Sequence, residues 1–384
     1  MHQPITISGI SSVSALGSTE AEIFQNYQYQ KPLFTKLGMA GIENWVSAVT
    51  EDIAIKLDAL VSGQPKYKNL DKTVLLAILA SSNLDNLVRD KESTCINIGS
   101  SRGATALFEK YHKEFESTGR VSAYTSPTTT LGNISSWVAQ DLQLTGFTMG
   151  HSVTCSTALH AMINGIAWLQ ADMADTFIAG GSEAALTPFT LAQMKAMKLY
   201  SESENHLACE SMRFEKTKNS MVLGEAAAVC ILERGITKRT QAVIKGYGFA
   251  SEKLEHSSSI SESGLCFQRS MQMALEKAGL DTVDCIVMHA PGTVKGDLAE
   301  KRAIDSIFGN GLPLLTSNKW WLGHTFAASG MMSLQMAMLM LKHNKFLENP
   351  FYSNARHLPA VMKSVMVNAV GFGGNAVSII ISNP

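Results

Sequence analysis

Cys155 is the residue of this chain best placed for covalent chemistry. It lies in Gly150-His-Ser-Val-Thr-Cys155-Ser-Thr-Ala-Leu-His160, a short apolar and hydroxyl-bearing run. Directly after it, Leu159, Met162, Ile163, Ile166 and Leu169 recur at helical spacing. That spacing puts the sulfur at or near a helix N-terminus, where unpaired N–H groups and the macrodipole favour the thiolate over the thiol. A thiolate there is a nucleophile. The competing reading is a buried structural cysteine, a small hydrophobe and nothing more.

Two further stretches carry candidate chemistry. In His289-Ala-Pro-Gly-Thr-Val-Lys-Gly-Asp297-Leu-Ala-Glu300 a histidine follows an apolar strand. In Thr316-Ser-Asn-Lys319-Trp-Trp-Leu-Gly-His324-Thr-Phe-Ala-Ala-Ser-Gly a lysine and a histidine precede a helix. Side chains at the carboxyl ends of strands and at helix starts converge on one crevice in an α/β body. Taken alone each histidine is equally a satisfied structural residue, and Asp297 and Glu300 equally serve as acids at the start of the following helix.

The elements that must position these residues read as two similar halves. Residues 4–10 alternate as a strand and end in a Ser/Gly turn, and a capped helix starts at Ser18. Residues 70–87 read as one helix, Thr94 begins a strand, and Thr125 begins a polar loop. Asp175 begins a buried strand ending in glycines, residues 200–220 read as a polar surface excursion, and Val222 begins another strand. The order then repeats: a strand from Ala242, a helix over 268–278, a strand from Asp284, a helix opened by Gly323-His324, and closing strands from Met366 and Ala376. The expectation is two α/β units, 1–240 with the cysteine and 241–384 with the two histidines, in one body.

Composition narrows the function class. The chain has 384 residues, 45% hydrophobic and 17% charged, with a net charge of −1. That balance argues against a nucleic-acid surface. Its six cysteines (95, 155, 209, 230, 266 and 285) contain no CxxC pair, so neither a disulfide framework nor a metal site is indicated. No signal peptide and no membrane span are read, so the expected setting is cytoplasmic.

Together these stretches resemble the β-ketoacyl synthases, condensing enzymes of fatty-acid and polyketide synthesis with the thiolase fold. The resemblance rests on Thr154-Cys155-Ser156 with Gly180-Gly181-Ser182-Glu183-Ala184, and on His289, Gly292, Thr293, Asp297 and Glu300. It rests equally on Lys319, Gly323, His324, Ala327, Ala328 and Gly330, and on Gly371-Phe372-Gly373-Gly374. It implies a duplicated, five-layered α/β/α/β/α architecture and no cofactor beyond the phosphopantetheine of an acyl carrier protein. Cys155 is then the acyl acceptor, and His289 and His324 stabilise the oxyanion formed when a malonyl thioester loses carbon dioxide. The backbone N–H groups of Cys155 and Phe372 form a second oxyanion hole, Phe372 gates the site, and Lys319 orders it, paired with Glu300. Asp297, Thr293, Gly371 and Gly373 support these groups.

The resemblance also implies an acyl carrier protein as partner and a dimer, with itself or with a related ketosynthase or chain-length factor. Lys66, Lys68 and Lys72, or Lys195 and Lys198, are candidate carrier contacts, with a solvated charged face as the alternative. The Cys/His/His set favours a decarboxylating, elongating synthase over relatives with Asn at the second histidine, and over thiolases with a second late cysteine. Departures are Pro291 where the family has Gly-Thr-Gly-Thr after its histidine, Asn375-Ala376 after the closing glycines, and Trp320-Trp321 beside the lysine. They point to specialised metabolism of the polyene or aryl-pigment type. The alternatives are a non-catalytic chain-length-factor-like partner, and an acyltransferase or hydrolase without decarboxylation.

Overall fold

The computed structural model describes residues 3–39, 42–253, 260–355 and 358–384. Ten strands form one sheet in the order Leu314–Thr316, Cys285–Val287, Ser364–Gly371, Asn375–Ser382, Ala242–Ser251, Ile5–Ser14, Ala226–Arg234, Thr176–Glu183, Thr94–Gly99, Thr148–Met149. The outer strands of each half run parallel, and the strands nearer the middle are antiparallel. The two halves join where Thr6 pairs with Val243 and Ile7 with Ala242.

Side-chain alternation along the strands sets the layers. In Ala226–Arg234, Ala226, Ala228, Cys230 and Leu232 enter a core shared with helices Thr157–Gln170 and Ser329–His343. Their neighbours Ala227, Val229 and Ile231 enter a second core beneath helices Lys72–Ser82 and Asn133–Leu142. In the other half, Cys285 and Val287 face the central core, and Ile286 faces a third core with helices Leu265–Ala278 and Val294–Phe308. Strands covered on both faces must be apolar throughout. The layers therefore run helix, sheet, helix, sheet, helix, as the thiolase-like expectation requires.

The two central helices carry the site. Every residue from Ser329 to Leu341 is buried, so that helix is apolar all round and rich in methionine, which fills irregular gaps. The Thr154–Ser156 turn leads into one central helix, and the Phe326–Ala328 turn leads into the other. A small hairpin, Thr35–Met39 with Ile42–Ser47, adds Leu223–Gly224 as a third strand.

Several boundaries differ from the sequence reading. The first strand continues through Ser11 and Ser12 to Ser14, because Ser12 Oγ finds a buried acceptor in Gln335 Oε1 at 2.6 Å. The helix expected over 70–87 is Lys72–Ser82, capped by Asp71, followed by a separate 3₁₀ turn at Asp85–Leu87. Thr125–Thr129 is a short helix rather than a loop, with Thr128 and Thr129 hydroxyls bonded back onto their own turn. His324 lies five residues ahead of its long helix, after a separate Lys319–Leu322 turn of helix. Among the described residues no helix is long and apolar enough to cross a membrane.

Candidate active site

Cys155 occupies the middle of the Thr154–Ser156 turn and is buried. Thr154 carries the turn at φ +48°, a region that a β-branched residue enters at a cost of about 1–3 kcal/mol. Several bonds hold it there. Ser101 Oγ donates to Thr154 O at 2.7 Å, Thr157 Oγ1 donates to the same oxygen at 2.6 Å, and Val153 N donates to Thr157 Oγ1 at 2.9 Å. Two other non-glycine residues at positive φ flank the histidines: Ala290 at +26° and Phe326 at +44°.

The expectation of a partly ionised sulfur at a helix start is not met. Cys155 shares an apolar cluster with Leu191, Met194, Tyr200 and Phe326. Burial in that cluster, with the nearby Glu183 carboxylate adding to it, pushes the thiol up to about 12. Lys319, Arg102 and the turn's own backbone pull the other way but do not offset desolvation. The resting sulfur is a thiol.

His289 and His324 follow the neighbouring strands Cys285–Val287 and Leu314–Thr316, and their rings meet. Their ring centroids are 5.2 Å apart and the planes nearly perpendicular, at 87°. The His324 ring lies 5.3 Å from that of Phe326, linking the histidines to the cluster around Cys155. Both imidazoles are buried, and neither Nδ1 has a hydrogen-bond partner among the described residues. Desolvation, with the neighbouring charge of Lys319, holds His289 well below its ordinary range and His324 down at about 3. Both rings are therefore neutral at pH 7, each with one N–H to donate.

One segment, residues 208–224, fixes the backbone of both histidine turns. Ser211 Oγ donates to Ala290 O at 2.6 Å, and Ser220 donates to Gly292 O at 2.8 Å from both its N–H and its hydroxyl. Val294 N donates to Asn219 Oδ1 at 2.8 Å. Gly292, at φ +88°, admits no side chain, since a Cβ would stand 3.1 Å from Ser220 O. Further along, His324 N donates to Val222 O at 2.7 Å and Gly224 N donates to His324 O at 3.0 Å. The sequence reading of 200–220 as a surface excursion is thus corrected. Its glutamates and lysines are largely exposed, but Ala208, Cys209, Ser211, Met212, Lys216 and Ser220 are buried.

Asp297 anchors this segment. Its Oδ2 accepts from Lys216 Nζ at 2.6 Å and Met212 N at 3.0 Å, and its Oδ1 accepts from Gly292 N at 3.0 Å. Thr293 caps the helix that carries it, accepting from Gly296 N at 3.2 Å. Asp297 therefore does stand in a helix first turn, but its bonds reach backward and sideways to hold the His289 loop. Glu300, one turn on, does not cap the helix. Its oxygens accept from His289 N at 3.0 Å, Ala290 N at 2.9 Å and Asn368 Nδ2 at 3.2 Å.

The Lys319–Glu300 pairing implied by the resemblance is not formed as a contact. Lys319 Nζ, fully buried, donates to Asn318 Oδ1 at 3.0 Å, while Glu300 spends its oxygens on the His289 turn. The two act on each other through space. Burial brings Lys319 down to about 8, and Glu300, Cys209 and Cys155 pull it back up. Burial raises Glu300 to about 7. The Gly371–Gly374 turn lies against the cysteine turn, with Thr154 Oγ1 donating to Phe372 O at 3.3 Å. A Cβ on Gly371 would stand 2.6 Å from Val153 O and 3.2 Å from Cys155 N. Gly373, at φ +100°, lets the turn close, and leaves the Phe372 side chain partly exposed at the rim.

The structure thus gathers Cys155, His289, His324, Lys319 and the Phe372 turn, and places Asp297, Thr293 and Glu300 behind them. Sequence reasoning passes over Lys216, Ser211, Ser101, Arg102 and the role of Glu183. Buried Glu183 accepts from Ser100 Oγ, Ser101 N, Arg102 N and Ala327 N, tying the loop beside Cys155 to the His324 side. A carboxylate two residues after a pair of strand glycines was the one available signal. Among the described residues no group of three His, Cys, Asp or Glu is placed to hold a metal ion.

Comparison with known proteins agrees with this arrangement. The profile described as Beta-ketoacyl synthase, N-terminal domain, matches residues 67–237, and Beta-ketoacyl synthase, C-terminal domain, matches 241–351. The 3-oxoacyl-[acyl-carrier-protein] synthase 2 of Coxiella burnetii is 26% identical over 412 aligned positions, covering 98% of each chain. The 3-oxoacyl-[acyl-carrier-protein] synthase 1 of Buchnera aphidicola is 25% identical with the same coverage. Among solved structures, a type II polyketide synthase acyl-carrier protein in complex with its ketosynthase matches with a TM-score of 0.86 at 19% identity over all of both chains. A ketosynthase in complex with its chain length factor from Xenorhabdus doucetiae matches at 0.83 and 22% identity, over 100% and 98% of the two chains. With the two domains of that family matched in order over 67–237 and 241–351, the chain belongs to the β-ketoacyl synthase family, whose named members are carbon–carbon bond-forming acyltransferases.

Proposed function

We propose that this chain is a β-ketoacyl-[acyl-carrier-protein] synthase that condenses an acyl thioester with malonyl-carrier protein through an acyl-Cys155 intermediate. The observation that carries the reading is the perpendicular pair of neutral imidazoles linked through Phe326 to the cluster around the sulfur. In the first half-reaction Sγ of Cys155 bonds to the acyl carbon as the carrier's C–S bond breaks, and the thiol proton leaves on the carrier's sulfur. In the second, the malonyl C–CO₂⁻ bond breaks to give carbon dioxide and an enolate. That enolate attacks the acyl carbonyl and expels Cys155, which regains a proton.

Each step has its stabilising groups. N–H donors of His289 and His324 serve the malonyl enolate, where charge develops only after bond breaking, so they favour the transition state over the bound substrate. The N–H groups of Cys155 and Phe372 serve the acyl carbonyl. Lys319 keeps a positive charge near Cys155 without touching it.

The partner assignments rest on the same reading. A carrier protein is acidic, and exposed Lys66 and Lys68, or Lys195 and Lys198, offer it contacts. Lys72 is the weakest of these candidates, since it pairs with buried Glu225 at 2.5 Å. The sheet ends at Thr148–Met149, whose outer edge pairs with no strand among the described residues. We place a second subunit there, a copy of this chain or a related ketosynthase or chain-length partner. The alternative, a non-catalytic chain-length subunit, is disfavoured by Cys155 itself. Carbon dioxide release from malonyl-carrier protein, with Cys155→Ala alongside, separates the readings. Product formed by wild type and lost in the variant supports the synthase, and product retained in the variant supports the partner subunit.

A further inference from the structure

At the edge of the apolar cluster around Cys155 lies a cation with no ion-pair partner among the described residues. The loop after strand Thr94–Gly99 is locked in place by Ser100, Ser101 and Arg102 bonding to Glu183 and by Ser101 bonding to Thr154 O. This fixes the Arg102 backbone one residue from a direct contact to the nucleophile turn. Its side chain reaches over Phe326, with the guanidinium carbon 6.0 Å from the ring centroid. Nη2 donates to Gln193 Oε1, on the Pro188–Ala196 helix that also brings Leu191 and Met194 to the sulfur.

Two features of that guanidinium point to a ligand. Its Nε is buried and has no hydrogen-bond partner among the described residues. Among those residues the guanidinium also makes no ion pair; Arg89, Arg120 and Arg269 make none either but are exposed, whereas Arg102 is half-buried, and the other arginine with an unpartnered Nε, Arg239, meets the Glu233 carboxylate. A partly buried cation with an unsatisfied donor, set at the edge of an otherwise apolar cluster, is costly unless an acceptor arrives with the substrate. Phe326 beneath it and Leu191 and Met194 on the helix it bonds all belong to the cluster that holds Cys155, so a ligand of the guanidinium lies at the edge of the acyl-carrying cluster.

We propose that Arg102 is a specificity-determining residue for the acyl group, and that the chain loaded on Cys155 carries an oxygen acceptor (a keto, hydroxyl or carboxylate oxygen) that hydrogen-bonds the guanidinium. This rests on the synthase reading above and deepens it. The malonyl carboxylate is a poor candidate for the same role. A cation bound to it would stabilise the charge that decarboxylation must discharge, and would slow the step. A saturated chain fares worse still, because it would lay methylenes against the guanidinium without satisfying Nε.

The experiment is a competition for Cys155 among carrier-protein thioesters of matched length: hexanoyl, 3-oxohexanoyl, 3-hydroxyhexanoyl and adipoyl, with acetyl as a short control, read by intact mass over time. The wild type is expected to load at least one oxygenated donor tenfold or more faster than hexanoyl, and the preferred arm identifies keto, hydroxyl or carboxylate. In Arg102→Met that preference collapses to within about threefold, whatever the change in the overall rate of loading. Hexanoyl loaded by the wild type as fast as every oxygenated donor overturns the proposal, as does loading by acetyl alone. These comparisons within the wild type stand even if the variant fails to fold. No adduct with any donor overturns the synthase reading and this one together, whereas loading without discrimination overturns only this one.

Discussion

Lys216 Nζ stands 2.6 Å from Asp297 Oδ2, with side chains 2% and 0% exposed. The pair joins the 208–224 segment to the helix behind His289, and the same segment hydrogen-bonds the backbone of His324 through Val222 O and Gly224 N. The separation of the two imidazoles is thus set by one stretch of chain, clamped at Asp297.

Removing one member of this pair leaves a buried charge unpaired, which destabilises by about 3–5 kcal/mol. Lys216→Met should lower the melting temperature and reduce condensation more than Cys155 acylation, because His289 moves and the cysteine turn does not. The double variant Lys216→Met/Asp297→Leu, which removes both charges, should recover little. Asp297 also accepts from Met212 N and Gly292 N, and those amides would be left buried without partners. Thermal unfolding and the two half-reactions, measured separately, check this. Full recovery in the double variant would show that the charges alone matter.

Exchanging either histidine should separate the half-reactions. Under the proposed mechanism His289→Ala and His324→Ala each remove one donor to the enolate, worth about 10²–10³ in rate. Both variants should still accept an acyl group on Cys155, since the acyl carbonyl has its own N–H groups. Carbon dioxide release from malonyl-carrier protein should fall by that factor. Equal loss of acylation would mean that the imidazoles serve the thiol rather than the malonyl group.

A thiol held at about 12 reacts through its small thiolate fraction. Alkylation of Cys155 by iodoacetamide should therefore rise about tenfold per pH unit from pH 6 to pH 8 and go on rising, with no plateau below pH 10. Lys319, at about 8, favours the thiolate while it keeps its proton. As pH passes 8 that help is lost, so the wild-type slope should dip below tenfold per unit between pH 8 and 9. Lys319→Met should alkylate more slowly at pH 7 and show no dip. A wild-type plateau near pH 7 would instead mean an activated thiolate.

What was legible in the sequence, and what was not, follows from the range of each interaction. Cys155, His289 and His324 stand out because each sits in a local run of strand, turn and helix, and the alternation of apolar residues gives both halves of the sheet. The thiol's state was not legible. A helix start is local and can be read, but the burial that outweighs it comes from Leu191, Met194, Tyr200 and Phe326, far along the chain. Lys216 meets its partner 81 residues away, and Thr154 meets Phe372 across 218. In a polar stretch like 200–220, composition marks exposure on average and hides the few residues turned inward. Glu300 shows the same limit from the other side. As an acid early in a helix it looked like a cap, and only the packed loop shows its oxygens holding His289 N and Ala290 N.

Gly371 is where the two halves of the site touch, and it offers the sharpest single test of that contact. Its backbone passes so close to the cysteine turn that an added Cβ would meet Thr154 Oγ1, with Val153 O at 2.6 Å and Cys155 N at 3.2 Å. Two of these are backbone atoms that cannot rotate away, so Gly371→Ala must push the closing turn outward. Gly371 ends the Ser364–Gly371 strand, which pairs along its length with Asn375–Ser382. The displacement should therefore stay local and cost about 1–3 kcal/mol of stability. Its effect on chemistry should be larger, because under the proposed mechanism the Phe372 N–H serves the acyl oxygen and would be carried away from it. Acylation of Cys155 is expected to fall by about 10²-fold or more, while carbon dioxide release from malonyl-carrier protein, which depends on His289 and His324, falls far less. Measuring both half-reactions beside thermal unfolding decides it. Acylation within a few-fold of wild type, in a protein of normal stability, would remove Phe372 from the oxyanion hole.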